Sequence, residues 1–583
     1  MLSKALIEDC KVNRKNLSVA WIDYKKAFDS VPHSWLIETL RIHKTSSTII
    51  KFLQEAMKWW TVDLNLRTSE NTLHIRNIRI KKGIFQGDSL SPLLFCRALI
   101  PLSSMINNLK SGYQMKGSKV KVNHLLYVDD VKLIAKNDDE LRKQIEVVKE
   151  FSDDIRMEFG IDKCAKASFV KGKLKVQENI QVNEDEVIQS LQQEEVYKYL
   201  GIDEHDGIHY QQMKDKIRKE YFQRARMILK TELNGRNKAI AITSLAVPVI
   251  SYSLGIIKWT KEELQRIDTK TRKLLTIHGM LHPRADVDRL YVSRDEGGRG
   301  FTEIASLAYI NDIGTANYLK VKSDEKLLGL IYQHEKAKIE KVREGLPQGE
   351  LIENTNAGKT ETERVKQAKQ ITKGRIQEEK KRNWESKKMH SQYLSETKKE
   401  HVDCQLTWKW LRNGDLKGET ESLITACQDQ AIATNYHKAK ILKQVVDPRC
   451  RLCKTEPETI HHIVSACPIL ANREYIERHD AVGSHLHWNI CKHYNIDTCV
   501  KWYEHKPDPV TESADVTIIW NTQIQTDRCV PANKPDIIIK NKKEKTCIII
   551  DVAIPSDYNI VQKEAESKPN IRTWQSKRKE CGE

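Results

Sequence analysis

The sequence predicts a multidomain α+β protein whose first domain mixes strands and helices. Over residues 1–170, short apolar runs of strand type alternate with longer stretches of helical periodicity, a pattern typical of a small sheet backed by helices. Residues 209–280 show long helical periodicity, and Lys and Glu dominate residues 325–400. A chain of 583 residues is long enough for several such domains.

The hydrophobic pattern of the first domain predicts its individual elements. The predicted strands are Val19–Ile22, Thr61–Leu66, Leu73–Ile80, Leu125–Ile134 and Ala165–Val170. The predicted helices are Ser34–His43, Thr48–Trp60, Leu93–Leu109 and Asp139–Glu158.

The charge balance favours a polyanionic partner. Lys and Arg number 97 against 80 Asp and Glu, so the net charge is +17. Such an excess favours nucleic acid through phosphate contacts and counterion release, although many basic proteins bind none. No apolar run approaches the roughly 20 residues of a membrane span, and the N-terminus has no signal-peptide core. We therefore expect an intracellular, nuclear protein with no membrane partner, whose 13 Cys are reduced thiols or metal ligands.

Two adjacent carboxylates, Asp129 and Asp130, lie between apolar runs at the tight turn of a predicted hairpin. Neighbouring aspartates repel each other, and burying them costs free energy unless a cation lies beside them. A hard divalent ion such as Mg²⁺ meets that need with oxygen ligands. The competing interpretation is a solvated turn, because Asp-Asp is common in turns.

Two further motifs precede this doublet in the chain. Asp23 ends an apolar strand, and a glycine-punctuated loop that carries Gln86, Gly87 and Asp88 leads into an apolar helix. A strand-end Asp, a glycine-rich loop and a hairpin Asp pair, in this order, resemble motifs A, B and C of the reverse-transcriptase palm.

The resemblance implies that Asp23, Asp129 and Asp130 converge at one end of the sheet. There they would hold two Mg²⁺ (or Mn²⁺) ions that activate a primer 3′-hydroxyl and steady the leaving pyrophosphate. It also implies a set of residues at the nucleotide and template. These are Phe28, Gln86, Gly87, Asp88 and Tyr127. Phe28 matches the family's bulky residue that excludes a ribose 2′-hydroxyl, and core packing is its alternative role.

Later segments extend the resemblance. Lys163, in a segment similar to motif D, could donate a proton to pyrophosphate or be an ordinary surface lysine. Residues 197–202 resemble motif E, the primer grip. The basic helix predicted over residues 210–233 would belong to a thumb that grips the template–primer duplex through phosphates, with a solvated charged face as the alternative.

A short cluster of thiols and imidazoles predicts a zinc knuckle. Cys450, Cys453, His462 and Cys467 form the spacing C-x2-C-x8-H-x4-C. Three thiolates and an imidazole make a closed tetrahedral Zn²⁺ site. His461 could replace His462, and the sequence leaves both open. Such knuckles contact nucleic acid or serve as structural staples.

The last segment carries a second acidic hairpin. Asp536 and Asp551 lie on two apolar strands, and Lys563 or Lys568 follows on a predicted helix. Two acids and a lysine resemble the restriction-like endonuclease site, in which the acids bind Mg²⁺ and the lysine orients water or offsets phosphate charge. The pattern is weak by itself, and its position after a reverse transcriptase and a zinc knuckle strengthens it.

Nearly the whole chain resembles the polyprotein of a non-LTR retrotransposon of the restriction-like-endonuclease type. The expected domains are a reverse-transcriptase palm with its fingers largely missing (1–205), a helical thumb and post-thumb segment (206–320), a charged helical linker (321–404), a helical region (405–480) with the zinc knuckle at 450–467, and a C-terminal α/β restriction-like nuclease (481–583). The resemblance implies that the nuclease nicks genomic DNA and that the exposed 3′-end primes copying of the element's RNA. The implied partners are an RNA template, a DNA target and primer, and deoxynucleoside triphosphates, with no oligomeric state predicted.

Two departures from the family pattern favour a truncated copy. Only 22 residues precede Asp23, so the segment that clamps the triphosphate is missing, and residues 572–577 depart from the nuclease pattern. The competing hypothesis is a catalytically inactive remnant that only binds nucleic acid. A group II intron maturase has similar palm motifs, but the knuckle and the second acidic hairpin point away from it.

Overall fold

The chain forms two compact units in the computed structural model. The first unit contains residues 1–231, 238–274 and 301–379, and the second contains residues 232–237, 275–300 and 380–583. The residues that the structure describes are 1–67, 72–192, 194–347, 360–400, 402–523, 534–556 and 559–566. Helices and strands occur in both units, so the predicted mixture of α and β structure is confirmed, while the predicted domain boundaries stay predictions.

The first 204 residues hold the strands of the first unit. These strands are β1 (Leu17–Ile22), β2 (Thr61–Arg67), β3 (Thr72–Arg79), β4 (Tyr113–Gln114), β5 (Lys121–Val122), β6 (His124–Tyr127), β7 (Asp130–Ala135), β8 (Ala165–Val170), β9 (Lys173–Lys175), β10 (Ile180–Gln181), β11 (Val187–Ser190), β12 (Tyr197–Tyr199) and β13 (Ile202–Glu204). The helices among them are α1 (Leu2–Val12), α2 (Ala27–Ser30), α3 (His33–Ile42), α4 (Ser47–Lys58), α5 (Ser91–Asn108) and α6 (Asp138–Asp154). The elements predicted from the hydrophobic pattern all occur, with ends that differ by a few residues.

The rest of the chain is mainly helical until its last segment. The helices are α7 (Tyr210–Leu229), α8 (Gly235–Ala241), α9 (Val247–Ser251), α10 (Lys261–Ile277), α11 (Val287–Tyr291), α12 (Ile304–Val321), α13 (Lys326–Glu344), α14 (Glu361–Glu385), α15 (Gln392–Glu396), α16 (Cys404–Thr407), α17 (Lys409–Asn413), α18 (Gly418–Gln428), α19 (Pro468–Ala471) and α20 (Glu474–His493). The strands are β14 (Val510–Glu512), β15 (Val516–Trp520), β16 (Ile537–Asn541) and β17 (Thr546–Ile550). Every helix in the described part of the chain is too short or too polar to cross a bilayer.

A seven-stranded sheet forms the centre of the first unit. Its strand order is β10-β11-β8-β1-β7-β6, and β9 pairs with β8. The central strand β1 is antiparallel to both β7 and β8, and its register sets Ile22 opposite Val131. Continuing that register by one residue sets Asp23 opposite Asp130, at the end of the sheet where β6 turns into β7.

Both faces of β1 are buried. Ala20 and Ile22 belong to a core that also contains side chains of α3, α5 and α6, whereas Val19 and Trp21 belong to a second core with α1 and α13. Alternate residues of a strand point to opposite faces. The nearly continuous apolar run Leu-Ser-Val-Ala-Trp-Ile therefore suits a central strand that is covered on both sides.

Buried ion pairs hold the turn-rich segment 284–300 within the second unit. Arg289 donates to Asp429 at 2.6 Å. Glu421 accepts from Arg294 at 2.6 Å and from Arg299 at 2.5 Å. Because a buried charge is costly without a partner, this pairing explains why the segment is rich in arginine.

The last segment of the second unit forms a four-stranded antiparallel sheet in the order β14-β15-β16-β17. One face of this sheet is apolar and packs against α20. The residues buried there are Cys491, Val516, Ile518, Ile537 and Ile539.

Candidate active site and metal centres

Three acidic residues lie at the same end of the central sheet, where β1 ends and the hairpin of β6 and β7 turns. Burial, the charge of Asp129 and that of Asp23 raise the pKa of Asp130. Burial raises the pKa of Asp23 as well, against the opposing charge of Lys163 and with the added charge of Asp129. Asp23 is therefore an electrostatic neighbour of the Asp129–Asp130 doublet, although it lies far from the doublet in sequence.

The hairpin turn that presents the doublet is strained. Tyr127 pairs with Asp130, so the two-residue loop consists of Val128 and Asp129. Val128 has a φ of 55°, in the left-handed region that a β-branched residue rarely adopts. Strain of this kind costs of order 1–3 kcal/mol and persists at functional sites where the surrounding fold enforces it.

The main chain of Asp23 is held by the segment that contains Lys163. The Gly160 amide donates to the Asp23 carbonyl at 2.8 Å, and the Asp23 amide donates to the Cys164 thiol at 3.4 Å. A Cβ atom on Gly160 would lie 3.2 Å from the Asp23 Oδ1 atom. The sequence analysis did not assign Gly160 or Cys164 a role; both belong to the segment that suggested Lys163.

Lys163 itself lies beside the acids. Its Nζ atom is 3.7 Å from Asp23 Oδ1, and its side chain is 66% exposed. An ion pair this exposed contributes little to stability. Its exposure and its position next to Asp23 are compatible with both predicted roles, proton donor and surface lysine.

Phe28 lies between the acids and the glycine-rich loop. Its ring stacks on Phe95 of α5, with centroids 5.0 Å apart and planes 6° from parallel. The Ile84 amide donates to the Phe28 carbonyl at 2.8 Å. A Cβ atom on Gly83 would lie 2.7 Å from the Asp29 carbonyl oxygen, so glycine is required where the loop crosses α2.

The other residues predicted at the nucleotide and template are exposed. Gln86 and Asp88 flank Gly87, whose φ of 92° favours glycine. Asp88 accepts a hydrogen bond from Ser91 at 3.2 Å, at the start of α5. Tyr127 is 61% exposed beside the doublet. These side chains are accessible to a ligand.

A buried lysine, which the sequence pattern did not reveal, anchors strand β7 of this hairpin. Lys132 lies on β7, two residues after Asp130, and is almost fully buried. Its ammonium donates to Glu204 and, at 2.6 Å, to the Ser3 hydroxyl, and it lies 4.7 Å from the centre of the Trp21 ring. These contacts tie β7 to α1 and β13, and their partners are too distant in sequence for a local pattern to reveal.

The acidic triad fits a hard divalent ion by its donor chemistry. Three carboxylates supply the oxygen ligands that Mg²⁺ and Mn²⁺ prefer. In the described part of the chain, the ligand atoms of these three acids do not all lie within 4.8 Å of one another. This wider spacing agrees with the mutual repulsion of like charges.

The predicted knuckle residues do form such a close group, in the second unit. The ligand atoms of Cys450, Cys453, His462 and Cys467 all lie within 4.8 Å of one another, and the Cys453 sulfur is 3.3 Å from His462 Nε2. The structure places His462, and not the exposed His461, in the group. Its chemistry and closure fit Zn²⁺.

Polar neighbours orient this cluster. Glu458 is buried and accepts from the Arg451 amide at 2.8 Å and from the Arg451 guanidinium at 2.6 Å. Arg451 holds the pKa of Glu458 at about 2, so this carboxylate is charged at neutral pH. The Thr455 hydroxyl donates to the Cys453 sulfur at 3.2 Å and lowers the pKa of that thiol. Such outer contacts orient metal ligands, and the sequence analysis did not identify them.

The acids of the C-terminal hairpin face each other at its open end. Ile537 pairs with Ile550, so the register continued by one residue sets Asp536 opposite Asp551. The Asp536 carboxylate accepts from the Val552 amide at 2.6 Å, and Asp551 is exposed.

Two other polar residues lie near this hairpin. His479 of α20 has its Nε2 atom 3.4 Å from Asp536 Oδ2. Although burial alone would lower it, hydrogen bonding to Asp480 and the charge of Asp536 raise the pKa of His479. His479 and Lys563 line one cavity of about 340 Å³. The Lys563 Nζ atom lies 3.4 Å from Glu566 Oε2. Lys568, the alternative lysine, lies outside the described residues.

Comparison with known proteins identifies the first unit's sheet region. Residues 2–203 match the family model described as reverse transcriptase (RNA-dependent DNA polymerase). The Pol polyprotein from the type-1 retrotransposable element R2 of Nasonia vitripennis is 29% identical over 213 residues, which is 34% of this chain and 19% of that protein. The corresponding polyprotein of element R2DM of Drosophila melanogaster is 27% identical over 192 residues, 32% of this chain and 17% of that protein.

The matched segment spans less than one fifth of the length of these curated relatives. Among solved structures, apo telomerase from Candida tropicalis overlaps 48% of this chain and 49% of its own, at 14% identity. Its TM-score of 0.26 carries no argument about fold. The family match and the R2 relatives together show that residues 2–203 are a reverse-transcriptase domain similar to those of non-LTR retrotransposon polyproteins.

Proposed function

We propose that this chain is an RNA-directed DNA polymerase that extends a DNA primer along an RNA template with deoxynucleoside triphosphates. The observation that carries the proposal is the register of β1 and β7, which sets Asp23 opposite Asp130 within a reverse-transcriptase domain. Such convergence of acids from separate motifs is what two-metal nucleotidyl transfer needs.

The residues that would hold two Mg²⁺ (or Mn²⁺) ions are Asp23, Asp129 and Asp130. Bound there, the ions would lower the pKa of the primer 3′-hydroxyl and offset charge on the phosphates. The strained turn at Val128 carries the doublet, and the hydrogen bonds of the Asp23 main chain with the Gly160 amide and the Cys164 thiol hold Asp23 opposite it. Lys163, whose Nζ atom lies 3.7 Å from Asp23 Oδ1, would give a proton to the leaving pyrophosphate.

Nucleotide selection would fall to the surface between α2 and the glycine-rich loop. Phe28 stacks on Phe95, and this contact would favour a ring position that excludes a 2′-hydroxyl. The exposed residues Gln86 and Asp88 would lie along the base and template, and Gly87 leaves room for the close approach of a nucleotide.

A basic groove between α7 and α10 supports contact with a template–primer duplex. Within the first unit, five cationic side chains line a cavity of about 500 Å³. They are Arg218, Lys219, Arg226, Arg266 and Lys270. Cations spaced along two helices suit phosphates and confer no sequence specificity, as a polymerase requires.

A second proposed function is a DNA endonuclease in the second unit. The cross-strand placement of Asp536 and Asp551, with His479 against Asp536 and Lys563 in the adjoining cavity, favours it. The acids would hold Mg²⁺ and the lysine would face the phosphate. The Cys450 cluster would bind Zn²⁺ and brace this unit or contact nucleic acid. Nicking of chromosomal DNA followed by copying at the nick implies a nuclear location.

Primer extension on an RNA template tests the polymerase. With Mg²⁺ present, the wild type should incorporate nucleotides and Asp129→Ala should not. Asp154→Ala, which removes an exposed aspartate at the end of α6, is the matched control and should retain activity. A wild type that binds primed RNA without incorporation, or equal incorporation by Asp129→Ala, would favour the alternative of a catalytically inactive nucleic-acid-binding remnant.

A further inference from the structure

A second cluster of metal-ligand side chains lies in the second unit, apart from the Cys450 group. The ligand atoms of His487, Cys491 and His505 all lie within 4.8 Å of one another. His487 and Cys491 are four residues apart on α20 and therefore share one face of the helix. His505 follows on the segment that leads to β14.

The distances within this cluster suit a common metal ion. His487 Nδ1 lies 2.9 Å from His505 Nε2 and 3.5 Å from the Cys491 sulfur. Donor atoms around tetrahedral zinc lie about 3.3–3.6 Å apart, as follows from Zn–N and Zn–S bonds of about 2.1 and 2.3 Å. The cluster needs only a few tenths of an ångström of expansion to accept the ion.

Two members of the cluster are buried in the interior of the second unit. His487 and Cys491 are fully buried, and in the described part of the chain the Nε2 atom of His487 is buried with no hydrogen-bond partner. The Nδ1 atom of His487 contacts the other two members of the cluster. A cation bound at His487 Nδ1 would leave Nε2 as it is, so the case for the ion rests on the donor types and on the distances between them.

The surrounding structure holds the three ligands in place. The Ser484 hydroxyl donates to the His505 carbonyl at 3.0 Å and fixes the following segment to α20. A Cβ atom on Gly483 would lie 2.5 Å from the Trp520 ring, so glycine lets the helix approach the sheet closely.

We propose that His487, Cys491 and His505 bind a second zinc ion, which fastens α20 to the segment after it, beside the sheet that carries Asp536 and Asp551. Zinc is favoured over magnesium because the donors are two imidazoles and a thiolate. The site is structural, since it lies in the apolar core of this unit.

Zinc content of the purified full-length chain, measured by plasma mass spectrometry, tests the proposal. The wild type should hold two zinc ions, and Cys450→Ser should hold one, because only the knuckle is lost. Cys491→Ser and His505→Asn should each lose one ion as well. Cys499→Ser is the matched control, since the Cys499 thiol donates to the Lys501 carbonyl and lies outside the cluster, and it should keep both.

Cobalt spectroscopy keeps the test decisive if Cys491→Ser fails to fold. Co²⁺ added to the metal-free Cys450→Ser chain should give tetrahedral absorption bands with the thiolate-to-cobalt band of a single thiolate. A Cys450→Ser chain that retains no zinc and gives no tetrahedral cobalt spectrum would overturn the second site. That outcome leaves the knuckle and the polymerase proposals untouched, since neither uses these three residues.

Discussion

Two hairpins of this chain each carry a pair of aspartates, and the fold completes them in different ways. In the first unit, the doublet lies at the tight turn of β6 and β7, and the neighbouring strand β1 adds a third acid. In the second unit, Asp536 and Asp551 lie at the open end of β16 and β17. There the nearby groups are a backbone amide and His479.

The difference shows that the position of an acid in a hairpin decides what surrounds it. Acids that meet at a tight turn repel one another, and a cation between them would offset that repulsion. Acids at an open end lie beside the departing chain, whose amides can satisfy part of their charge, as Val552 does for Asp536. On the functions proposed here, the first site would depend on metal ions, and the second would combine a metal ion with fixed hydrogen bonds.

The strongest test of the difference between the two sites is to inactivate each hairpin separately. Asp130→Asn should reduce primer extension at least about 1,000-fold, because the substitution keeps the shape and removes a ligand charge. Asp536→Asn should reduce plasmid nicking to a similar extent. Each variant is the control for the other, since the second activity should be retained. Loss of both activities in either variant would show that the sites are not independent.

We expect the next largest effect, on the free energy of unfolding, from removing the buried Lys132 that anchors the first hairpin. Lys132→Met should lower the free energy of unfolding by about 3–4 kcal/mol, because it leaves the Glu204 carboxylate buried without its cation. Chemical denaturation measures this loss. The double variant Lys132→Met/Glu204→Gln should recover a large part of it, and Lys143→Met, on the exposed face of α6, should change stability by less than about 0.5 kcal/mol. A single variant as stable as the wild type would contradict the role of Lys132.

A buried aspartate outside both hairpins shows how far backbone hydrogen bonds can offset the effect of burial on the pKa of a carboxylate. Asp268 accepts from the Ile304 and Ala305 amides at 2.8 and 3.0 Å, yet burial raises its pKa from 3.8 to about 6. Between these values the unfolded chain loses the proton and the folded chain keeps it. Stability from this group should therefore fall by about 3 kcal/mol as pH rises from about 4 to 6 and then stay level.

Denaturation of the wild type and Asp268→Asn across this pH range tests the effect. The difference in unfolding free energy between the two should change in favour of the variant as pH rises. A difference that is independent of pH would contradict the raised pKa. The other carboxylates are common to both chains and cancel in the comparison.

The smallest effect concerns the placement of the third acid of the first site. Gly160→Ala should slow primer extension about three- to tenfold, because its Cβ atom would press on Asp23 Oδ1 at 3.2 Å. Stability should change little. Gly374→Ala is the control, since an added Cβ there would meet nothing within 4 Å. Equal rates for Gly160→Ala and the wild type would show that the acid tolerates displacement.

Local patterns in the sequence were enough to predict which acids and which thiols lie near one another in the fold. An apolar strand that ends in Asp23 and a hairpin that turns at Asp129 predicted strands, faces and a carboxylate site, because strand periodicity and turns are local properties. The spacing of Cys450, Cys453 and Cys467 likewise predicted a cluster. The sequence alone could not choose between His461 and His462, because the choice depends on which side of a helical turn faces the thiols.

The sequence by itself determined the elements of the reverse-transcriptase domain, the acids at their ends and the thiol spacing, because short-range periodicity and turn chemistry encode them. Only the tertiary structure decided that Lys132 pairs with Glu204, that His479 lies against Asp536, and that His487 meets His505. Each of these contacts joins residues brought together by packing rather than by spacing. Their formation depends on burial in a low-dielectric interior, which no local pattern of residues records.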